Sequence, residues 1–429
     1  MTNLKIRKKI LVALIINFSL KNRFLLILFL LLAVTAFLRF YQLDTRSPFG
    51  WDQVDNAWAV KNIIIDHRFP LVGMQAKLNS GIYIGPLYYY LLAVFYYFTN
   101  LDPVASGLFA GISSLVNALI IYWVLKNIFN KKVAFTGLLL NAVSLSIINF
   151  DRSQWPVNFI PTVSLILFYA LYKVLSGNWK YLLMVGLGLG LAFNIHFTAI
   201  FYPIIILVCL PFIPINKKTV KYGIIAFLIF IFFLLPNIIN EIQQSAAASK
   251  SMTGYLGTYS HGFHLRRMLQ LAKDAFIEYE DYFTGYIKPF KYFLTPVFCL
   301  IYLKNNFSKT GFRLCYLIII WFLVPWIAFS LYSGEITNYY FSMTRPIVIM
   351  IISYLTVYFF NLNNLIIKFV VVIFWFYFSY FNLHSFFILK QSGLKQERLE
   401  VLDKIGRGEK INFTNGDPKS YLYYLYTKK

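Results

Sequence analysis

Apolar runs alternate with short polar breaks along almost the whole chain. A helix needs roughly 20 mostly apolar residues, at about 1.5 Å each, to cross the ~30 Å hydrocarbon core of a bilayer. Eleven stretches meet or approach that length, at 24–41, 103–125, 133–150, 157–175, 180–195, 197–215, 219–236, 289–303, 314–333, 346–361 and 364–384. The pattern predicts an all-α polytopic membrane protein with about eleven transmembrane helices. Residues 10–20 (ILVALIINFSL) are too short to cross and carry no small-residue cleavage site. They read as a cytoplasmic or interfacial helix and not as a removable signal.

Composition sharpens the class. The chain is 59% hydrophobic and 13% charged, whereas a soluble domain is about 45–50% apolar and about 25% charged. A water-soluble enzyme, a disordered chain and a disulfide scaffold are all excluded. Aromatics reach 20%, which suits interfacial belts. The formal charge of +23 is scattered between apolar runs. It therefore points to anionic lipid headgroups and not to nucleic acid. Cys209, Cys299 and Cys315 all sit inside apolar runs and read as buried small hydrophobes.

Charge also orients the chain. Lys5, Arg7, Lys8, Lys9, Lys21 and Arg23 precede the first span, which places the N-terminus inside the cytoplasmic membrane. Alternating spans then put Lys126, Lys131, Lys132, Lys173, Lys180, Lys217, Lys218, Lys221, Lys304, Lys309, Arg313 and Lys368 inside as well. All 17 acidic residues fall outside, so the polar chemistry is expected on the outer face. Residues 85–99 (GPLYYYLLAVFYYFT) resemble a further span, but 15 residues of helix reach only about 22 Å. A crossing there would also move the Lys126–Lys132 loop outside. The segment reads as an interfacial helix with its tyrosines at headgroup level. Two parts follow: a transmembrane domain, 1–384, with a first outer loop at 42–102, and an outer C-terminal tail, 385–429. The tail has helix-like (LKQERLEVLDKI) and strand-like (KINFT) patches and is expected to pack on the outer loops.

Candidate chemistry gathers at the outer boundary. In the first loop, Trp51 onward reads as an amphipathic helix. Asp52, Asp55 and Asn56 share one face, opposite Val54, Trp58 and Ile65. Two carboxylates there serve either as helix-start partners of the dipole or as a general base with a group that tunes it. Lys77 is a lipid contact or a phosphate ligand. Asp151 and Arg152 follow the third span as an interfacial ion pair or a bidentate phosphate site. His196 lies at a boundary turn, as a hydrogen-bonded interfacial ring or a donor to substrate. Glu278, Glu280 and Asp281 read as a solvated loop face. Glu335, Tyr339 and Tyr340 precede Arg345, a boundary anchor or a second phosphate contact. The GLGLG run at 186–190 lies within a span and reads as a close helix contact. No cluster has metal-ligand spacing, and a divalent ion stays open.

The order of these features resembles the GT-C glycosyltransferases, nearest to the protein O-mannosyltransferase and aminoarabinose transferase-like group, glycosyltransferase family 39 and its relatives. The matching residues, densest from Arg39 to Ile200, are Asp52, the run Pro86-Leu87-Tyr88-Tyr89, and Arg152 with Trp155 and Asn158. His196 and Tyr340 with Pro346 extend the match. The resemblance implies transfer of a sugar from a polyprenyl-phosphate carrier to a lipid, protein or glycan hydroxyl at the outer face. Configuration would be inverted and no nucleotide used. It makes Asp52 the base, with Asp55 beside it, and Tyr88 part of the substrate region. Two positions depart from the pattern: Gln53 replaces an acid, and Gly85 replaces a Lys or His. A flippase or transporter of lipid-linked sugars is the alternative. Transporters usually carry ionisable groups at mid-membrane and repeated halves, and no Asp or Glu falls inside a predicted span.

Overall fold

The computed structural model describes residues 23–75, 80–245, 247–260, 262–282, 289–389 and 393–427; the expected helix at 10–20 lies outside them. Among the described residues two isolated bridges, Gln75 with Tyr83 and Ser260 with Tyr332, are the extent of β pairing. All the rest is helix and connection, as a bilayer demands of a chain that must satisfy its own backbone.

Among the described residues seven helices are long and apolar enough to cross: α1 (Arg23–Phe40), α5 (Val104–Ile128), Pro156–Leu175 containing α8 (Ile160–Leu175), α11 (Lys217–Gln243), α15 (Lys309–Ser330), Asn338–Asn361 containing α16 (Arg345–Asn361), and α17 (Leu365–Ile388). One further stretch passes the same test only as a bent pair of helices. Helices α6 (Lys131–Val143) and α7 (Leu145–Arg152) meet at a 66° bend. Ser144 is extended there, and the Asn382 side chain of α17 accepts the Leu145 N–H at 2.8 Å. That contact satisfies a donor the bend would otherwise orphan in hydrocarbon. The expected spans near 180–195, 197–215 and 289–303 appear as shorter helices: α9 (Leu182–Phe193), α10 (Phe201–Cys209) and α14 (Lys291–Asn305). Short 3-10 turns at Trp179–Tyr181, Phe197–Ile200 and Leu210–Phe212 lengthen the first two.

The main core centres on α8, whose Leu167, Phe168, Ala170 and Val174 are fully buried. Its Ser164 hydroxyl donates to Met343 O at 2.6 Å, and the buried Trp321 indole donates to Ser164 Oγ at 2.9 Å. The GLGLG run lets α9 lie directly on α11, with Gly186 against the Ala226 backbone. Phe227, Phe232, Ile366 and Phe376 of α11 and α17 point outward, the face expected toward lipid.

A second core lies to one end. It joins α3 (Trp51–Ile64), α4 (Leu87–Phe98), α18 (Leu394–Gly406) and α19 (Pro418–Thr427) through Val54, Val60, Leu92, Tyr96, Val401 and Tyr421. At 12 residues α4 reaches about 18 Å, too short to cross. The tail is bound to the loops it covers. Arg398 donates to Asp102 at 2.5 Å, and the Tyr421 hydroxyl to Leu101 O at 3.0 Å. The strand-like KINFT patch is coil, because no strand among the described residues offers it an edge.

Candidate active site

The start of α3 sets the site. Gly50 N–H donates to Gln53 Oε1 at 3.1 Å, and Gln53 Nε2 donates onward to Gln154 O at 2.8 Å. Gln53 thus ties the helix start to the connection after α7. Val54, Ala57 and Val60 bury one face, which leaves Asp52 and Asp55 on another. Both carboxylates line a cavity of about 520 Å³, together with Trp51, Tyr89, Trp155, His196 and Glu335. No Lys or Arg among the described residues lines it; Lys77 lies outside them.

Burial pushes the Asp52 carboxyl above the usual range, and the charge on Asp55 adds to the rise. Asp55 is also raised by burial, but a hydrogen bond from the Gly416 backbone N–H opposes this. His196 is held as a cap. Its Nδ1 accepts the Thr198 N–H at 3.3 Å, and its ring packs 5.9 Å from Tyr339. Burial lowers His196 to about 3, so the ring is neutral at ordinary pH.

A second cavity of about 540 Å³ adjoins the first and shares Thr337 and Tyr339 with it. Arg345 is its cation. Its Nε and Nη2 donate to Glu278 at 2.7 and 3.2 Å, and its guanidinium lies 4.1 Å over Phe150. Arg345 Nη1 is buried without a hydrogen-bond partner. Glu278 is therefore not on a solvated loop face, as its sequence context implied; it is 3% exposed and paired. Burial pushes it up to about 7 against the pull of Arg345. Glu280 likewise pairs with Lys291 at 2.5 Å. Among the described residues no three of His, Cys, Asp and Glu form a metal-holding group.

Three of the expected residues lie elsewhere. Asp151 accepts from the fully buried Arg39 at 2.8 and 3.2 Å and from Ser114 Oγ at 2.6 Å. Arg152 donates to the carbonyls of Leu38, Arg39 and Tyr41 at 2.8–2.9 Å. Its guanidinium closes the C-terminal end of α1, where orphan carbonyls favour a cation. It is 1% exposed and reaches neither cavity. Tyr88 is buried, with its hydroxyl accepting from Gln154 Nε2 at 2.5 Å; its neighbour Tyr89 faces the cavity. Sequence reasoning did not place Trp51 or Gly416 at the site. The Asn415-Gly416 pair, a turn signal, was the available clue to the second.

Residues 84–239 match the family of dolichyl-phosphate-mannose-protein mannosyltransferases. No curated protein sequence matches the chain. Among solved structures, ArnT from Cupriavidus metallidurans bound to undecaprenyl phosphate superposes with a TM-score of 0.56 at 11% identity, covering 93% of this chain and 74% of that one. The Archaeoglobus fulgidus oligosaccharyltransferase in complex with zinc and sulfate gives 0.57 at 13% identity, over 94% of this chain. The chain spans 57% of that enzyme's length. The fold is that of the GT-C membrane glycosyltransferases. The chain is thus a multi-pass membrane protein of GT-C architecture, in which Gln53 and Gly85 each have a structural setting. Gln53 is the helix-start tie described above. A Cβ on Gly85 would fall 1.9 Å from Asn194 Oδ1, an atom that also accepts the Leu87 N–H at 3.3 Å. A larger side chain at this position would have to displace the Asn194 amide.

Proposed function

We propose that the chain transfers a sugar from a polyprenyl-phosphate carrier to a hydroxyl of a lipid, protein or glycan at the outer face of the cytoplasmic membrane. The observation that carries this reading is the convergence of Asp52, Asp55 and His196 in one cavity that adjoins the Arg345 cavity. Asp52 takes the proton of the acceptor hydroxyl as its oxygen attacks the anomeric carbon. The bond from that carbon to the phosphate oxygen breaks, and its electron pair leaves with the polyprenyl phosphate. Attack opposite the leaving group inverts the anomeric configuration. Arg345 Nη1, a buried donor beside Glu278, donates to the departing phosphate and offsets its charge. The lipid tail stays in the bilayer, the N-terminus lies inside, and the tail helices α18 and α19 lie outside.

The test is to incubate the purified protein with defined polyprenyl-phosphate mannose, glucose, galactose and pentose donors and a cell-envelope extract as acceptor, following loss of each donor. Consumption of one donor, with its sugar recovered on extract material, is expected. Equal consumption by wild type and Asp52→Asn protein, or none by either, overturns the reading.

A further inference from the structure

The acid cavity has two unlike ends. Thr337 and Tyr339 are shared with the Arg345 cavity, and Trp155 packs on Tyr339 with ring centroids 4.6 Å apart. That end meets the phosphate site and so takes the donor sugar. Trp51, Asp52 and Asp55 line the acid cavity alone. The acceptor hydroxyl must reach Asp52 from the side that the donor sugar leaves open, and Trp51 stands there, directly before Asp52 on α3. Trp51 is 62% exposed, although tryptophan is highly buried on average. The polar tail turn packs on its indole, which sets it apart from the aromatics of a lipid-facing belt. Gly416 has φ +70°, and a Cβ there would fall 2.4 Å from Trp51 Cδ2, so glycine is what lets the turn come this close. Ser420 Oγ donates to Thr414 O at 3.1 Å and to Asp417 O at 2.8 Å and holds the turn in shape. The result is a braced aromatic surface at the cavity rim.

The chemistry of this end discriminates among acceptors. Asp52, Asp55 and Glu335 line the cavity, and no Lys or Arg among the described residues does. An acceptor rich in phosphate or carboxylate meets like charge there. A peptide acceptor brings backbone groups that need partners, and no strand edge among the described residues lines the cavity. Sugar hydroxyls, in contrast, donate to carboxylates, and the weakly positive C–H groups of a pyranose face meet the negative face of an indole. The volume of about 520 Å³ lies in the range that encloses a drug-sized ligand, more than one sugar ring fills. We propose that the acceptor is an uncharged glycan, held with one sugar ring against Trp51 so that a hydroxyl of that glycan reaches Asp52. The glycan oxygen then bonds to the anomeric carbon, its proton passes to Asp52, and the bond to the carrier phosphate breaks with its electron pair. The proposal rests on the sugar-transfer reading and narrows its acceptor; its test reads binding and not transfer, so the two fail separately.

In the experiment, full-length protein in lipid nanodiscs is immobilised and a soluble cell-envelope extract is passed over it. The extract is used untreated, after protease digestion, and after anionic material has been removed on an anion exchanger. Retained material is assayed for hexose, amino acid and phosphate. Wild type should retain hexose-containing material from all three preparations. Trp51→Ala should need about tenfold more extract for half-saturation, the scale of one aromatic contact. Trp51→Phe keeps an aromatic face and should fall between the two. Binding of a polyprenyl-phosphate sugar should be equal in all three proteins. Retention that protease abolishes, retention confined to the anionic fraction, no retained carbohydrate, or an unchanged half-saturation in Trp51→Ala overturns the proposal. Weaker donor binding by Trp51→Ala also overturns it, because the indole then belongs to the donor sugar.

Discussion

Asp151 separates a structural from a substrate-binding role most sharply. Arg39 is fully buried, and Asp151 is the one carboxylate that meets it among the described residues, through two guanidinium bonds of 2.8 and 3.2 Å. Carbonyls of Asn141 and Ala142 take two further guanidinium protons at 2.6 Å each. Asp151→Asn removes the countercharge and leaves the arginine in place. Breaking a buried pair from one side costs about 3–5 kcal/mol, because the surviving charge is unmatched. For a chain of 429 residues the unfolding entropy is about 0.9 kcal/mol/K, so the apparent melting temperature should fall by about 3–6 °C. The assay is thermal unfolding of detergent-purified protein followed by tryptophan fluorescence, with donor binding measured well below the transition. Donor affinity should be unchanged. The double variant Arg39→Met, Asp151→Leu should melt closer to wild type than Asp151→Asn, since removing both charges removes the desolvation cost. An Asp151→Asn protein of wild-type stability that has lost donor binding would refute the structural role.

Three further outcomes follow from the geometry. Asp52, Asp55, Glu278 and Asp281 all have folded pKa values above their ordinary ones, with burial the first cause; each of these carboxyls therefore holds its proton to higher pH in the folded state than in the unfolded state. Relative to Glu278→Gln, in which the opposite slope contributed by the lowered His196 is unchanged, wild-type stability should fall as the pH rises from about 4.5 through about 7, the Glu278 value; a wild-type advantage in melting curves that grows with pH would contradict the assignment. His196 is neutral above about 3, so His196→Asn should leave the shape of the transfer profile between pH 5.5 and 8 unchanged, and loss of an inflection there would show that the ring titrates during turnover. Gly85→Lys should destabilise by about 1–3 kcal/mol by overpacking against Asn194, measurable as a lowered melting temperature that Asn194→Ala partly recovers.

The long apolar runs revealed the membrane class and most helices, because hydrocarbon thickness imposes a length that local composition reports directly. The Asp52–Asp55 pair was legible for a similar reason: positions three apart share a helix face. Asp151 and Arg152 were not, because adjacency in sequence sends neighbours to different sides of a helix. One found the arginine of α1 and the other the carbonyls at that helix's end. Glu278 looked solvated among loop residues, and its partner lies 67 positions away at the start of α16. The tail turn was hidden for the same reason. Gly416 announces a turn, but nothing local shows that the turn closes on Trp51, across more than 360 intervening residues. Periodicity reports what a segment buries; it does not report which distant group it meets.

The central claim is that Asp52 is the base, and it is tested by single-turnover transfer from whichever polyprenyl-phosphate donor the wild-type protein consumes, using folded Asp52→Asn protein. The Asn side chain keeps size and hydrogen bonding but cannot accept the proton. Transfer should fall by about 10²–10⁴-fold while donor binding survives. Asp55→Asn should cost less, because Asp55 orients or tunes its neighbour. Near-normal transfer by folded Asp52→Asn, with Asp55→Asn inactive, would contradict the account and move the base to Asp55.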